Sequence, residues 1–200
     1  MKHLLWKYAY IILVLSTLMF YSCRKNQKPE LPPVTDADGN SYNIVQIGSQ
    51  IWMAENLRTT KLSDGTVINL VTSDSSWTTY SPSFKAYCWY DNDPNNKDIY
   101  GALYTWEAAK GVCPAGWHLP TKDEWAILGN PAMLNNVQFG GCRLEQGMFL
   151  QNDFMSHWWT STEYAVGWAW NATQIKENGD WGIYTGLEFR GYSVRCVKDK

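Results

Sequence analysis

Three sets of residues in this 200-residue chain have the types and spacing that chemistry requires. The first is oxygen donors at alternate positions, in Asp91-x-Asp93-x-Asn95 with Asp98 close behind, and again in Asp36-x-Asp38-Gly39-Asn40. Calcium loops use such alternation, but neither run has the closing bidentate glutamate of an EF-hand. The same letters make a tight turn, in which Asp and Asn bond their own backbone and Gly takes positive φ. The turn is the favoured reading, with Asp91, Asp93, Asn95 and Asp98 the first place to look for Ca2+. The second set is aromatic. Twelve tryptophans are present, eleven of them after residue 23, and Trp158, Trp159, Trp168, Trp170 and Trp181 gather in the last quarter. Trp168 and Trp170 flank Ala169, so on a strand they share one face; with Asn171 and Trp181 they form a candidate surface for stacking on a sugar. A core filled by the same rings is the favoured alternative. The third set is titratable. His118 and His157 are the histidines of the body, and Glu163 and Glu188 have the types of an acid–base pair, but nothing in the sequence fixes their separation. G-x-S-x-G, H-E-x-x-H, C-x-x-C and phosphate-cradling glycine loops are absent, so an enzyme is not expected.

Bulk charge is close to balanced, 17 Lys+Arg against 19 Asp+Glu. No nucleic-acid partner is expected on that basis, nor attraction to an anionic membrane through net charge. Five cysteines, one near the start and four in the body, leave every body pairing open from spacing alone.

The chain opens with Lys2 and Lys7 before an apolar run from Ala9 to Tyr21, interrupted at Ser16 and Thr17. That is short for a membrane span and suits a signal peptide over residues 1–22. It ends in F-Y-S-C, similar to a bacterial lipobox, in which Cys23 is acylated and becomes the mature N-terminus; Phe20 and Tyr21 are bulkier than is usual there. Acylation also accounts for the odd cysteine. Residues 23–35 (CRKNQKPELPPVT) read as a polar, proline-stiffened tether. The expected setting is lipid-anchored in the bacterial outer membrane, facing the periplasm or the surface.

Stepping along the remainder, residues 36–200 alternate short β-like runs with turn signals. Ser41–Ile47 and Gln50–Ala54 meet at Gly48-Ser49; Leu57–Leu62 and Val67–Val71 meet at S-D-G-T; Val166–Ile175 and Trp181–Leu187 meet at E-N-G-D. Between them, Y104-TWEAAKGVCPAGWHLPTKDE-W125 spells two short helices about a cysteine corner. Thr105 is placed to cap the first, and Thr121 with Glu124 has capping-box spacing for the second. Helices in the middle and many short strands indicate an α+β domain.

The ordered segments DADGNSY, IGSQIWMAENLRTTKLSDGT, YCWYDND, YGALYTWEAA, CPAGWHLPTKDEW, WWTSTE and GYSVRCV closely resemble the Fibrobacter succinogenes major paralogous domain family, whose members look like secreted or lipid-anchored bacterial proteins without an established biochemical function. More distantly, TWEAAKGVC and WHLPTKDEW are similar to C-type lectin-like domains and to formylglycine-generating-enzyme-type domains. That likeness implies a lectin-like fold with Cys113 bonded to Cys196 and, by exclusion, Cys88 to Cys142. It does not imply a calcium-dependent sugar site, since E-P-N is absent and Trp170-Asn171 is followed by Ala172. The function expected is a non-catalytic binding or adhesion domain for a polysaccharide or an envelope protein, the alternative being an enzyme or accessory of the formylglycine-generating type. If Cys23 carries the anchor, Cys23→Ser should move the protein from the membrane pellet to the soluble fraction; a variant that stays sedimented and unprocessed would refute the lipobox.

Overall fold

The computed structural model describes residues 31–78, 83–134 and 136–200, so the signal peptide, Cys23 and most of the tether lie outside the described residues. Residues 32–200 form one compact unit. Val34–Thr35 (β1), assigned above to the end of the tether, pairs with Ser41–Tyr42 (β2), which places the start of the fold just before Asp36. Between them Asp36 closes the turn with its own side chain. Oδ1 accepts from the Asp38 and Asn40 amides at 2.9 Å each, and Oδ2 from Asn40 Nδ2 and Tyr42 Oη. Here the turn reading of D-x-D-G-N holds.

Ile44–Ile47 (β3) turns at Gly48-Ser49 into Gln50–Met53 (β4), as the two-residue signal requires; Gly48 has φ +58°. The second predicted hairpin is reduced to a single bridge, Lys61 with Val67. Asn69–Leu70 (β5) instead runs parallel to Ala86–Cys88 (β6), which pairs with Leu103–Tyr104 (β7). A four-stranded sheet has the order β3-β4-β14-β8, where β8 is Trp117–His118 and β14 is Val197–Lys198. The main sheet has the order β10-β9-β11-β12-β13. Its strands are Gly140–Arg143 (β9), Phe149–Asn152 (β10), Met155–Ala165 (β11), Trp168–Ile175 (β12) and Trp181–Leu187 (β13). Helices are short: Asp74–Trp77 (α1), Lys97–Tyr100 (α2), Trp106–Ala109 (α3) and Lys122–Leu128 (α4). The domain is thus mostly β with a few brief helices, and no helix among the described residues is long and apolar enough to cross a membrane.

The capping box of α4 is complete: the Glu124 amide donates to Thr121 Oγ1 at 3.1 Å, and the Thr121 amide donates to Glu124 Oε2 at 2.9 Å. Thr105 precedes α3 but does not cap it. Its hydroxyl donates to the Phe84 carbonyl at 2.8 Å and accepts from the Ala86 amide at 3.1 Å, tying α3 to β6. Over α4 and the main sheet, Trp125 lies between Trp52, with ring centres 4.8 Å apart, and Trp158, at 5.5 Å and stacked. A larger cluster around Met53, Leu57, Tyr104, Trp106, Trp159 and Tyr192 fills the other side of the sheet.

Cys113 and Cys196 are joined by a disulfide, with Cα atoms 5.8 Å apart. The second expected bridge is not formed: Cys88 and Cys142 are free and buried. The reason is strand geometry. Cys88 faces the Arg143 guanidinium, and Arg143 follows Cys142 on β9, so the two neighbours point to opposite faces. Cys142 Sγ turns instead toward Gln151 Oε1. Beyond any thiol at Cys23, unreduced protein should therefore titrate none when native and two when denatured. Cys113→Ala with Cys196→Ala, which opens a loop closed across 83 residues, should lower stability by about 3–5 kcal/mol in a denaturant series.

Candidate ligand-binding face

The aromatic side of the main sheet is built by two long antiparallel strands, β11 and β12, joined at Val166-Gly167, with Gly167 at φ +80°. Side chains alternate across β12. Ala169, Asn171 and Thr173 face the larger core; Trp168, Trp170, Ala172 and Gln174 face α4. α4 covers only the root of that second face, where Trp125 stacks on Trp158 beside Ala172. Toward the hairpin tip the cover ends. Trp168 is 39% exposed, Tyr164 58% and Val166 92%. Trp170 is half-buried and held on two sides, by the Tyr164 edge with ring centres 5.1 Å apart and by Lys122 Nζ 4.9 Å above its ring. Lys122 is itself placed by its amide, which donates to Thr162 Oγ1 on β11 at 3.0 Å. Leu187 and Thr185 of β13 stand directly opposite Trp168 and Trp170. The face is core at its root and surface at its tip: Trp168 lies outside the core and Trp170 at its margin.

Two of the residues grouped with them do not join. Asn171 is 1% exposed on the opposite face, its Nδ2 donating to the Tyr184 carbonyl at 3.1 Å. Trp181 shares the Trp168 face but pairs with Gln174, six residues along β12, about 20 Å from Trp168 at strand rise. Tyr164 and Lys122 were missed: one lies past a register shift in β11, the other in a different element. On the other side of the tip, burial and then the Glu163 charge hold the Glu188 carboxyl above its ordinary range, so these two carboxylates are electrostatic neighbours.

The residues proposed for calcium do not form a cage. Asp91 and Asn92 take left-handed backbone, φ 54° and 55°. Asp93 Oδ1 accepts from the Asn95 amide and Nδ2 at 2.9 and 2.8 Å, and Asp98 faces Arg58 Nε at 3.3 Å. Asp93 is engaged in turn bonds and Asp98 in an ion pair, and the set does not converge on one point. No three His, Cys, Asp or Glu side chains among the described residues converge as metal ligands.

Behind the aromatic face lies a polar belt. His157 of β11 stacks on Tyr192 with ring centres 4.9 Å apart. Its Nδ1 meets Thr173 Oγ1 at 2.9 Å and its Nε2 meets Gln151 Oε1 at 2.6 Å. Burial, and then the Arg190 charge, push its pKa down to about 4. Arg190 is paired with Glu145 at 2.7 Å. Arg195 has Asn56 Oδ1, Gln138 Oε1 and the Asn136 carbonyl as partners, and burial pulls it down to about 9. His118 goes the other way. Burial lowers it, but Asp199 at 2.6 Å and Glu124 at 3.1 Å outweigh that and raise it.

The family model for the Fibrobacter succinogenes major domain matches residues 45–135, which takes in the segments from IGSQIWMAENL to CPAGWHLPTKDEW and stops short of the aromatic hairpin. No curated protein and no solved structure matches the chain.

The two histidines give opposite pH dependences. As pH falls from 6.5 toward 4, unfolded His157 takes up its proton before the native one, so stability is lost on acidification. Native His118 binds its proton first, so its contribution is present below 6.5 and lost as pH rises through the raised value. Melting temperatures from pH 5 to 8 should fall less steeply toward acid in His157→Gln than in the parent, and less steeply above pH 6.5 in His118→Gln; slopes unchanged from the parent would contradict both assignments.

Proposed function

Starting from a chain that carries a Fibrobacter succinogenes major domain over residues 45–135, we propose a non-catalytic binding domain on a lipid-anchored envelope protein, with polysaccharide as the ligand. The observation that carries this reading is the exposed Trp168 ring beside an ordered Trp170. Core tryptophans in this fold are nearly sealed, Trp52, Trp77, Trp125, Trp158 and Trp159 all at 0% exposure, whereas Trp168 keeps 39%. A sugar ring offers apolar C–H faces that cover such indoles while its hydroxyls stay in water, and the Lys122 and Tyr164 contacts hold Trp170 in place before a ligand arrives, which reduces the ordering cost. Lys122 at the rim supplies a partner for hydroxyl groups. A lectin-like arrangement of the domain is part of the same proposal; the Cys113–Cys196 bridge and the seating of β14 between β4 and β8 support it. The formylglycine-generating alternative gains nothing from the free thiols, since both are buried and burial pushes Cys88 up to about 12 and Cys142 up to about 11.

A glycan array probed with residues 32–200 should give hits that Trp168→Ala with Trp170→Ala weakens by about tenfold or more, the loss of about 1.4 kcal/mol of stacking. Binding unaffected by the double substitution would remove this face, and no binding by the parent would remove polysaccharide as the ligand.

A further inference from the structure

The main sheet has two open edges, and the sequence treats them differently. At β10 the edge is irregular: Gln151 within the strand and Asp153 just past its end take left-handed backbone, φ 66° and 58°. At β13 nothing of the kind occurs. Trp181–Leu187 pairs with β12 through seven consecutive positions without a bulge, and its sequence WGIYTGL holds no charge and no proline. Natural edge strands are normally blunted by lysine, proline or a bulge, because an unblunted edge is a template for another strand.

The register shows which groups that edge offers. Ile175 N–H donates to the Asp180 carbonyl and Glu188 N–H to the Gly167 carbonyl, both in the same register as the strands. Bonded pairs in an antiparallel ladder recur every second residue, so Gly182, Tyr184 and Gly186 turn their main-chain groups toward β12. Trp181, Ile183, Thr185 and Leu187 turn theirs outward. The Leu187 carbonyl accepts from the Arg190 amide; no other outward group of this strand has a main-chain partner among the described residues.

We propose that a second copy of this chain occupies the edge, β13 against β13, antiparallel about a two-fold axis at Tyr184. The strand is self-complementary in that register. Ile183 comes opposite the partner's Thr185 and exchanges both main-chain bonds with it, and Trp181 comes opposite the partner's Leu187. Tyr184 faces the partner's Tyr184 at a non-bonded position, where side chains lie closest. Gly182 and Gly186, placed symmetrically about Tyr184, fall opposite each other; in each copy Gly182 lies under the chain's own Tyr184 ring and Gly186 against its own Tyr192 ring. A Cβ at Gly182 would sit 2.9 Å from the chain's own Tyr184 ring, which lies across it, and Tyr184 is 58% exposed. One step beyond, Asp180 would meet the partner's Glu188 as a like-charge pair, which confines the overlap to the uncharged stretch. Such pairing makes one continuous sheet with both Trp168 faces on the same side. It stands on the edge geometry alone and is independent of what those faces bind.

The test uses the full-length, membrane-anchored protein. A cysteine at the two-fold position would have its partner's Cα about 4.5 Å away, within disulfide reach. Tyr184→Cys should give a covalent homodimer on non-reducing gels of intact envelopes, and Val166→Cys, more exposed but off the axis, should not. Adding Thr185→Pro, which removes an outward donor, should lower the dimer yield by about tenfold, and light scattering of the unsubstituted protein in detergent should give twice the protomer mass. A monomer in light scattering with no Tyr184→Cys cross-link overturns the pairing; so does equal cross-linking by Val166→Cys, yield insensitive to Thr185→Pro, or a cross-link to a different protein.

Discussion

Main-chain hydrogen bonding by the buried stretch 191–197 is what makes one domain out of several small sheets. Gly191 exchanges bonds with Arg143, Tyr192 with Tyr104, and Ser193 joins His157 and Trp159 of β11. The Val194 carbonyl accepts from Leu57 and the Cys196 carbonyl from Met53, while Val197 sits between Trp52 and His118. A stretch so enclosed must satisfy every polar group internally. That requirement reaches the side chains in part: Arg195, 0% exposed, is held through Nε and Nη2 by neutral oxygens of Asn56, Asn136 and Gln138, its Nη1 having no partner among the described residues, and Asn56 in turn receives Trp158 Nε1 at 2.8 Å. Removing one of those acceptors would leave a buried cation short of a partner, which costs more than the bond itself contributes.

The same logic explains a second buried arginine. Arg143 is fully enclosed, yet its guanidinium gathers the Val71, Thr72 and Gly147 carbonyls and Asp74 Oδ1, and lies over Trp77 and Phe149. Loops that have no sheet of their own are thus pinned by a planar donor with several N–H groups, a task lysine cannot perform. Around both arginines, irregular backbone is ordered by cations rather than by strands.

What the sequence made legible follows the range of the interaction. The α4 capping box, the Gly48-Ser49 hairpin and the bounds of β13 are set within a few residues, and the structure has them as read. Thr105 had the right type and place to cap α3, but a strand distant in sequence claims its hydroxyl. The S-D-G-T turn is present with its near flanks bridged at Lys61 and Val67, but the ladder goes no further, because Asn69–Leu70 pairs with β6. The Cys113–Cys196 bridge was reachable through resemblance; the fate of Cys88 was not, since it depends on which face of β9, that of Cys142 or that of Arg143, turns toward it. For Trp168 and Trp170, alternation identified the shared face but not its cover. Whether a ring is core or surface was decided by where a seven-residue helix ends, a length with no signature in β12 itself.

Every partner of residues 191–197 precedes them in the chain, from Trp52 to Trp159. A polypeptide made from its N-terminus therefore has these pairing partners, Trp52 to Trp159, in place before the stretch that unites them, and loop-closure entropy must be met across most of the domain at that step. Until then the indoles of two cores and the unblunted β13 edge stand open together. The order of residues, as much as the final contacts, makes the interval before completion the time when this protein is most exposed to misassociation.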